Sequence, residues 1–564
     1  MPKTFTRKKR LVPMVQRNKF YDIFWRLLHS FGVKRVFGLP GGSIDNLLST
    51  RPNSITWTNT GNEMSNGFMA QVYGQFADNV GFLFVTTGPG IATAISPLEQ
   101  AIFEGNPLVV VTPIESEASK GSFQNWDIAN IAPHLTKHVF HIRNQTQIVP
   151  LIHQAFYTAK KMCTGVILLF ETDVFIDKIP ASLTQPPSAP PPLKSIARAV
   201  NHRLENQKVV VVIGRLKPSD YQGTIAFLSS KKVPFVTTSK GRFGQWSNEV
   251  YCGRVGILGK HSANYVLAHA THWLVLGNIS GMLNDPYKSR FSVIFEKGKS
   301  IVALTYNKDH SVAGAIELDN LSSVLTQLTF VNKLPTHWLP YVMRGNMTLN
   351  VDLTPTSLLE KYIYTMSTIY KEKRLDFPVT TGVGNHWYGV SKYMDTNSPN
   401  AFESSTVWAS IGIGIANGIG IHYATGKQVW VFEGDGGALF GSTDLLYLLN
   451  NPLLPITVTI FANHIYGAIF EDYEKRVDKM NDVVDVPDIP IVKMFPNCHI
   501  FHSVEAYAKY LAANTHCNRA RFIIITIPNK HANSDIYGIL ADEQYHTNLI
   551  KDNFDGVLKT KLVL

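Results

Sequence analysis

A chain of 564 residues that is 45% hydrophobic, 11% aromatic and 17% charged has the length for three or four domains of roughly 150 residues and enough apolar surface to fold them. That excludes a single small binding module, and it excludes a disordered chain, whose sparse apolar surface cannot offset the entropy of ordering. A formal net charge of +11 admits nucleic acid or a phosphorylated ligand as partner, and four scattered cysteines favour an intracellular, cytoplasmic setting over secretion, while no run approaches the ~18 consecutive apolar residues of a membrane span.

In chain order, residues 1–15 form a basic arm containing Arg7, Lys8, Lys9 and Arg10. A solvated terminus is the first reading, with an address or a nucleic-acid contact as the other. The next segment, 16–183, has short β-branched runs at Gly81–Thr86, Leu108–Thr112 and Val166–Phe170. Within it, Thr60-Gly61-Asn62-Glu63 precedes an apolar stripe of Met64, Phe68, Met69, Val72, Tyr73 and Phe76 at helical spacing. An acid at such a junction suits the positive end of a helix dipole, so Glu63 reads as a helix-start charge unless context adds more. Residues 184–194, TQPPSAPPPLK, hold five prolines, which fix φ and remove donors and so predict an extended linker.

The central segment, 195–331, repeats the pattern with strands at Val209–Ile213, Pro234–Thr237 and Trp273–Leu276. A second linker, 332–355, precedes a helix-like run from Thr356 to Tyr370 and a last segment, 356–564, with strands at Val429–Phe432, Ile456–Phe461 and Phe522–Ile527. Strands so continuously apolar are buried on both faces. Alternating with helical periodicity, they predict an α/β chain of three domains, each a mainly parallel sheet flanked by helices.

Ligands of such sheets sit beyond the carboxyl ends of strands. There the strand VWVF is followed by Glu433-Gly434-Asp435-Gly436-Gly437, with a helix predicted from Ser442 to Asn450, and the strand ITVTIF runs into Asn463-His464-Ile465-Tyr466-Gly467. Gly434, Gly436 and Gly437 let backbone N–H groups approach an anion at a helix start. Asp435 and Asn463, 28 positions apart, offer hard oxygen ligands at the ends of two strands, suited to Mg²⁺ completed by diphosphate oxygens and water.

This pattern resembles the signature of the thiamine diphosphate-dependent enzymes of the pyruvate oxidase, acetolactate synthase and pyruvate decarboxylase superfamily, with Ala462 where the first of two asparagines usually stands. The resemblance implies a thiamine diphosphate-binding fold with a Rossmann-like middle domain, and Asp435, Asn463 and the Ile465 carbonyl as magnesium ligands, with Tyr466 closing the motif. It implies that Glu63 contacts the cofactor's aminopyrimidine and promotes loss of the thiazolium proton. Thr86-Thr87-Gly88-Pro89-Gly90 matches the family's TGPG turn, so Gly88 is carried over as a cofactor-binding position. Gly384-Asn385-His386 resembles the family's diphosphate cradle, and Ser410-Ile411-Gly412 resembles the loop whose apolar residue, here Ile411, wedges the cofactor into its bent form.

Within the superfamily, Pro40-Gly41-Gly42 and Phe123-Gln124 resemble the acetolactate synthase branch. Gln124 is then the residue that orients substrate. The histidine pair and the acid of the decarboxylase branch have no counterpart here. The middle domain lacks the branch's Gly-x-Arg-x-x-Asp after Gly277 and an acid in Ile301–Asn307, so flavin (FAD) is expected to be absent or weakly held. The reading is therefore decarboxylation of a small 2-oxo acid with carboligation, by a homodimer or homotetramer with sites between subunits. Two other readings stand beside it: a catalytically drifted cofactor-binding protein with a structural or nucleic-acid-associated role, and a simple 2-oxo acid decarboxylase.

Overall fold

The computed structural model describes residues 19–114, 124, 126–172, 174, 192–241, 250–256, 259–279, 299–312, 314–333, 335, 355–396, 401–405, 407–469, 484–487, 490–495 and 498–527. The basic arm and most of both linkers lie outside the described residues. The strands fall into three parallel six-stranded sheets. The first contains β1 (Arg35–Gly38), β2 (Thr56–Thr58), β3 (Gly81–Phe84), β4 (Leu108–Ile114), β5 (Val139–Ile142) and β6 (Gly165–Glu171), in the order β2-β1-β3-β4-β6-β5. The second contains β7 (Val209–Ile213), β8 (Phe235–Thr237), β9 (Tyr251–Arg254), β10 (His272–Leu276), β11 (Ser300–Thr305) and β12 (Ile316–Glu317), in the order β12-β11-β10-β7-β8-β9. The third contains β13 (Val379–Thr381), β14 (Phe402–Ser404), β15 (Val429–Gly434), β16 (Ile456–Ala462), β17 (Cys498–Phe501) and β18 (Arg521–Thr526), in the order β14-β13-β15-β16-β18-β17.

The period-2 alternation of strand side chains separates the cores. In β15, Val429 and Val431 join one apolar cluster while Trp430 and Phe432 join another on the opposite face. The first of these clusters is shared: Phe37, Leu83 and Val110 of the first sheet lie in the same core as Val429, Val458 and Phe522 of the third. Two helices meet inside it, Glu63–Phe76 from the first domain and Ile413–Thr425 from the third. The second helix can come this close because Gly420 has no side chain; a Cβ there would lie 2.5 Å from the Met69 carbonyl oxygen.

The apolar stripe marks one buried face of the Glu63 helix, and in the structure burial extends all round it, over every residue from Ser65 to Phe76. Most of its polar side chains find internal partners, as burial demands. Asn66 Oδ1 accepts the Thr60 N–H at 3.0 Å, Gln71 Oε1 accepts from Asn106 Nδ2 at 2.9 Å, and Gln75 Nε2 donates to the Leu216 carbonyl at 3.3 Å. The last contact reaches the second sheet's domain, so this helix touches all three. At its N-terminal end Ser65 Oγ donates to Asp444 Oδ2 at 3.3 Å across the interface between first and third domains. Burial pushes the Asp444 carboxyl up to about 7, the Ser65 bond opposing that rise.

Two outcomes follow from this interface. Gly420→Ala gains about 1 kcal/mol of helix propensity, but its methyl meets backbone, so the variant is expected to lose about 1–3 kcal/mol net in urea unfolding; a gain contradicts the close packing. Because the folded pKa of Asp444 is raised, its stabilising contribution is complete below its unfolded value and is lost as pH rises through about 7. Asp444→Asn, which mimics the protonated acid, is expected to flatten that fall in the urea midpoint, and an unchanged pH profile would contradict the assignment.

Candidate functional site

β15 and β16 are hydrogen-bonded neighbours with Gly434 opposite Phe461, so the residues that follow each strand emerge at one carboxyl edge. Asp435 opens a short helix, Asp435–Phe440, and is 7% exposed. The helix starts earlier than the predicted Ser442–Asn450, which also forms; two glycines of low helix propensity hide that first turn from a sequence reading. Asp435 Oδ2 accepts the N–H groups of Asn463 at 3.0 Å and His464 at 2.6 Å, and Oδ1 accepts that of Gly436 at 2.9 Å. Burial raises the Asp435 pKa, and these three N–H donors work against the rise. Asn463 Oδ1 accepts from the Ile465 N–H at 3.4 Å, and His464 bends the chain with φ 58°. Tyr466 then packs over the glycines: a Cβ on Gly436 would sit 2.4 Å from its ring.

Two other predicted stretches reach the same edge. Gly384, with φ 146°, precedes the helix Asn385–Tyr393, and the His386 ring lies 3.4 Å from where a Gly434 Cβ would be. Gly412, left-handed at φ 72°, starts the helix Ile413–Thr425, and a Cβ there would lie 3.0 Å from the Gly437 carbonyl. The half-buried Ser410 and Ile411 immediately before it are thereby held beside the Asp435 helix. Residues 384–386, 410–412, 434–437 and 463–466 thus form one cluster of loops and helix starts.

Sequence reasoning missed what lies beneath this cluster. Glu433, fully buried, accepts the Gly414 N–H at 3.0 Å and the Gly434 N–H at 3.3 Å, and its Oε1 lies 3.7 Å from His386 Nε2. Burial pushes the carboxyl up to about 8 and the His386 imidazole down to about 3, so near neutral pH both groups are mainly uncharged. Cβ atoms at Gly382 and Gly437 would lie 1.9 Å and 2.2 Å from Glu433 Oε1. The signal available in the sequence was an acid closing an otherwise apolar strand, VWVFE.

The first sheet builds a second concavity, of about 490 Å³, at the carboxyl ends of β1 and β3. Gly41, Gly42, Glu63, Thr86, Pro89 and Gln124 are among its walls, and all of its described lining residues come from the first segment. Glu63 is placed by its helix start, where Asn62 Oδ1 accepts the Met64 N–H at 2.8 Å. Gly88, left-handed at φ 65°, gives the Gln124 carbonyl room: a Cβ there would be 2.6 Å from that oxygen. Glu63, Gly88 and Gln124 therefore come together, and the third-domain set comes together separately. Among the described residues of one chain, no third-domain residue lines the first-domain pocket.

The oxygen set of Asp435, Asn463 and the Ile465 carbonyl fits a hard dication, and the backbone of Gly436 and Gly437, which has no space for side chains, fits close approach of a diphosphate. Among the described residues no helix is long and apolar enough to cross a membrane.

Comparisons with known proteins bear on the same two regions. The model of the thiamine pyrophosphate enzyme N-terminal TPP binding domain matches residues 18–132, and that of the C-terminal TPP binding domain matches residues 382–515. The acetolactate synthase large subunit of Lactococcus lactis is 26% identical over 494 residues, covering 81% of this chain and 83% of that protein. The chloroplastic acetolactate synthase of Arabidopsis thaliana is 25% identical over 525 residues, 86% of this chain and 76% of its own. The acetolactate synthase of Bacillus subtilis is 24% identical over 529 residues, 87% and 89% respectively. Both domain models match the regions that carry the two halves of the site, so the chain carries the N- and C-terminal TPP binding domains of the thiamine pyrophosphate enzymes and is similar in sequence to acetolactate synthases.

Proposed function

We propose that this enzyme decarboxylates a small 2-oxo acid and joins the remaining fragment to a second carbonyl compound, with thiamine diphosphate held through Mg²⁺. The observation that carries the reading is the convergence of Asp435, Asn463 and the Gly436–Gly437 backbone at one strand edge, supported by the likeness to acetolactate synthases. Asp435, Asn463 and the Ile465 carbonyl would hold the metal. The backbone around Gly384–His386 and Gly434–Gly437 would hold the diphosphate, and Ile411 would wedge the cofactor. When bound, thiamine diphosphate supplies the nucleophilic carbon and electron sink that breaking a bond beside a carbonyl requires. Glu63 exchanges a proton with an aminopyrimidine nitrogen, and the Gln124 amide orients a substrate oxygen without titrating.

Coupling is favoured over simple decarboxylation by the walls of the first-domain pocket. Among its described lining residues Glu63 is the one acid and there is no histidine, so a general acid for releasing free aldehyde is scarce and a carbonyl acceptor competes well.

A second copy of the chain completes the site in this reading, bringing its third-domain cluster to the pocket that carries Glu63. Beside the Asp435 helix, Phe440, Leu446, Leu449 and Leu453 are 51%, 46%, 36% and 73% exposed, an apolar patch of the kind that a stable interface covers.

Three measurements test these assignments. Given pyruvate or another small 2-oxo acid, the protein is expected to yield coupled product in excess over free aldehyde by chromatography; mostly aldehyde points to decarboxylation alone, and no turnover across a panel overturns the enzymatic reading. Asp435→Ala removes a charged ligand from a hard dication and is expected to abolish Mg²⁺-dependent cofactor binding in calorimetry, with equal affinity refuting the metal assignment. Glu63→Gln is expected to keep much of the binding while slowing exchange of the thiazolium proton about 100-fold or more, read by NMR.

A further inference from the structure

The second sheet reverses direction at β7, with β8 and β9 on one side and β10 to β12 on the other. In an open parallel sheet the crevice beyond the carboxyl ends at such a reversal is where a nucleotide normally lies. Here the loops close on one another: a Cβ on Gly214 would lie 2.3 Å from the Asn278 carbonyl, one on Gly277 would lie 2.3 Å from the Arg215 carbonyl, and one on Gly241 would lie 2.1 Å from the Ile213 carbonyl. From this edge project two cations, Arg215 after β7 and Lys240 after β8, with side chains only 7% and 4% exposed. Among the described residues, packed backbone and two buried cations already paired with carboxylates occupy this crevice and do not fit a flavin diphosphate there.

The cations point out of their own domain. Lys240 Nζ lies 2.8 Å from Glu104 Oε2, at the end of the first-domain helix Ile95–Glu104, and 2.6 Å from Glu403 Oε1 in β14 of the third sheet. Arg215 pairs with the other oxygen of Glu403 and donates to Asn106 Oδ1. Both carboxylates are fully buried, so each depends on its cation. A glutamate in the last turn of a helix also faces the negative end of the dipole, which Lys240 offsets.

The second oxygen of Glu104 holds the loop that ends in Ile411. Glu104 Oε1 accepts the Val407 N–H at 2.7 Å and lies 3.0 Å from Ser405 Oγ, which in turn accepts the N–H of Ala409 at 2.7 Å. Ala409 is left-handed at φ 57°, a conformation that costs a non-glycine residue energy and persists where neighbours fix it. The Trp408 ring stacks on Phe103 at 5.3 Å, and Ser410 Oγ lies 3.2 Å from Ser96 Oγ. The element behind the other cofactor loop is held directly from the middle domain: Arg254, closing β9, donates to the carbonyls of Ser391 and Lys392 in the last turn of the helix that begins at Asn385.

We propose that the middle domain works as a clamp in place of a nucleotide-binding module, with Lys240 as a positioning residue that fixes Glu104 and through it the 405–412 loop carrying Ile411. The role rests on the reading of that loop as the cofactor wedge, but the clamp itself exists without ligand. Lys240 touches no reacting atom.

The test uses the full chain with Lys240→Met and with the double variant Lys240→Met/Glu403→Gln. Three quantities are read: the urea midpoint, hydrogen exchange of residues 405–412 without ligand, and the affinity for thiamine diphosphate in Mg²⁺. Lys240→Met is expected to lower the midpoint, speed exchange in the loop about tenfold or more relative to β15 and β16, and weaken cofactor binding by a similar factor. The double variant restores a neutral cluster but leaves Glu104 without its cation and Arg215 without its carboxylate, so it is expected to recover only part of the midpoint while the loop stays released and binding stays weak. Affinity and loop exchange that follow the midpoint in both variants would reduce the cluster to plain stabilisation and overturn the clamp, as would loop protection unchanged in Lys240→Met. If the parent chain binds no cofactor, the reading of the site fails, and loop exchange alone still decides the clamp. Should Lys240→Met not fold, the double variant carries the same decision, with loop exchange that is fast relative to β15 and β16 supporting the clamp and wild-type loop exchange overturning it.

Discussion

The packing of the Glu63–Phe76 helix against the Ile413–Thr425 helix is the constraint on which the rest of the structure depends. It merges one face of the first sheet and one face of the third into a single apolar core. Both helices carry site residues at their N-terminal ends: Glu63 starts one, and Ile411-Gly412 leads into the other. The distance between the backbones is set by Gly420, and the helix between the sheets is buried all round, so its amides and hydroxyls are tied to Thr60, Asn106, Leu216 and Asp444. Position of the functional ends is therefore a consequence of core packing, in which small displacements are strongly resisted.

The middle domain contributes through charge rather than apolar surface. Among the described residues its core takes in only Cys163 from a neighbouring domain, and its buried cations Arg215, Lys240 and Arg254 reach into both neighbours. Buried ion pairs add little net stability because desolvation offsets attraction, but they fix geometry. A domain held in this way fixes the orientation of its neighbours' loops at modest energetic gain, which suits a part whose task is positioning.

Much of this was legible in the sequence. Runs such as VVVVI and ITVTIF can only be strands buried on both faces, and the residues just after them, Asp435 and Asn463, were placed at the sheet edge by that reasoning and by the family resemblance; the structure puts them there. The helix start at Asp435 was hidden because glycines suppress helix propensity. The burial of the polar positions of the Glu63 helix was not legible, because nothing local shows that a second domain covers them. Lys240 and Glu403 lie 163 positions apart and meet inside the protein; taken singly, each is an ordinary charged residue whose partner only the tertiary fold supplies. Glu433 belongs to the same class, since its raised pKa comes from burial beneath loops of three different stretches.

The central claim is that a working site joins the Glu63 pocket of one chain to the Asp435 cluster of another. It is tested most directly by mixing Glu63→Gln and Asp435→Ala chains after unfolding and refolding them together. Random pairing gives one intact site in each mixed dimer, so activity should return to about a quarter of the unmodified protein's, although neither variant is active alone. Mixed chains that associate normally and stay as inactive as the separate variants would mean that both residues serve one site within a single chain, and would contradict the account.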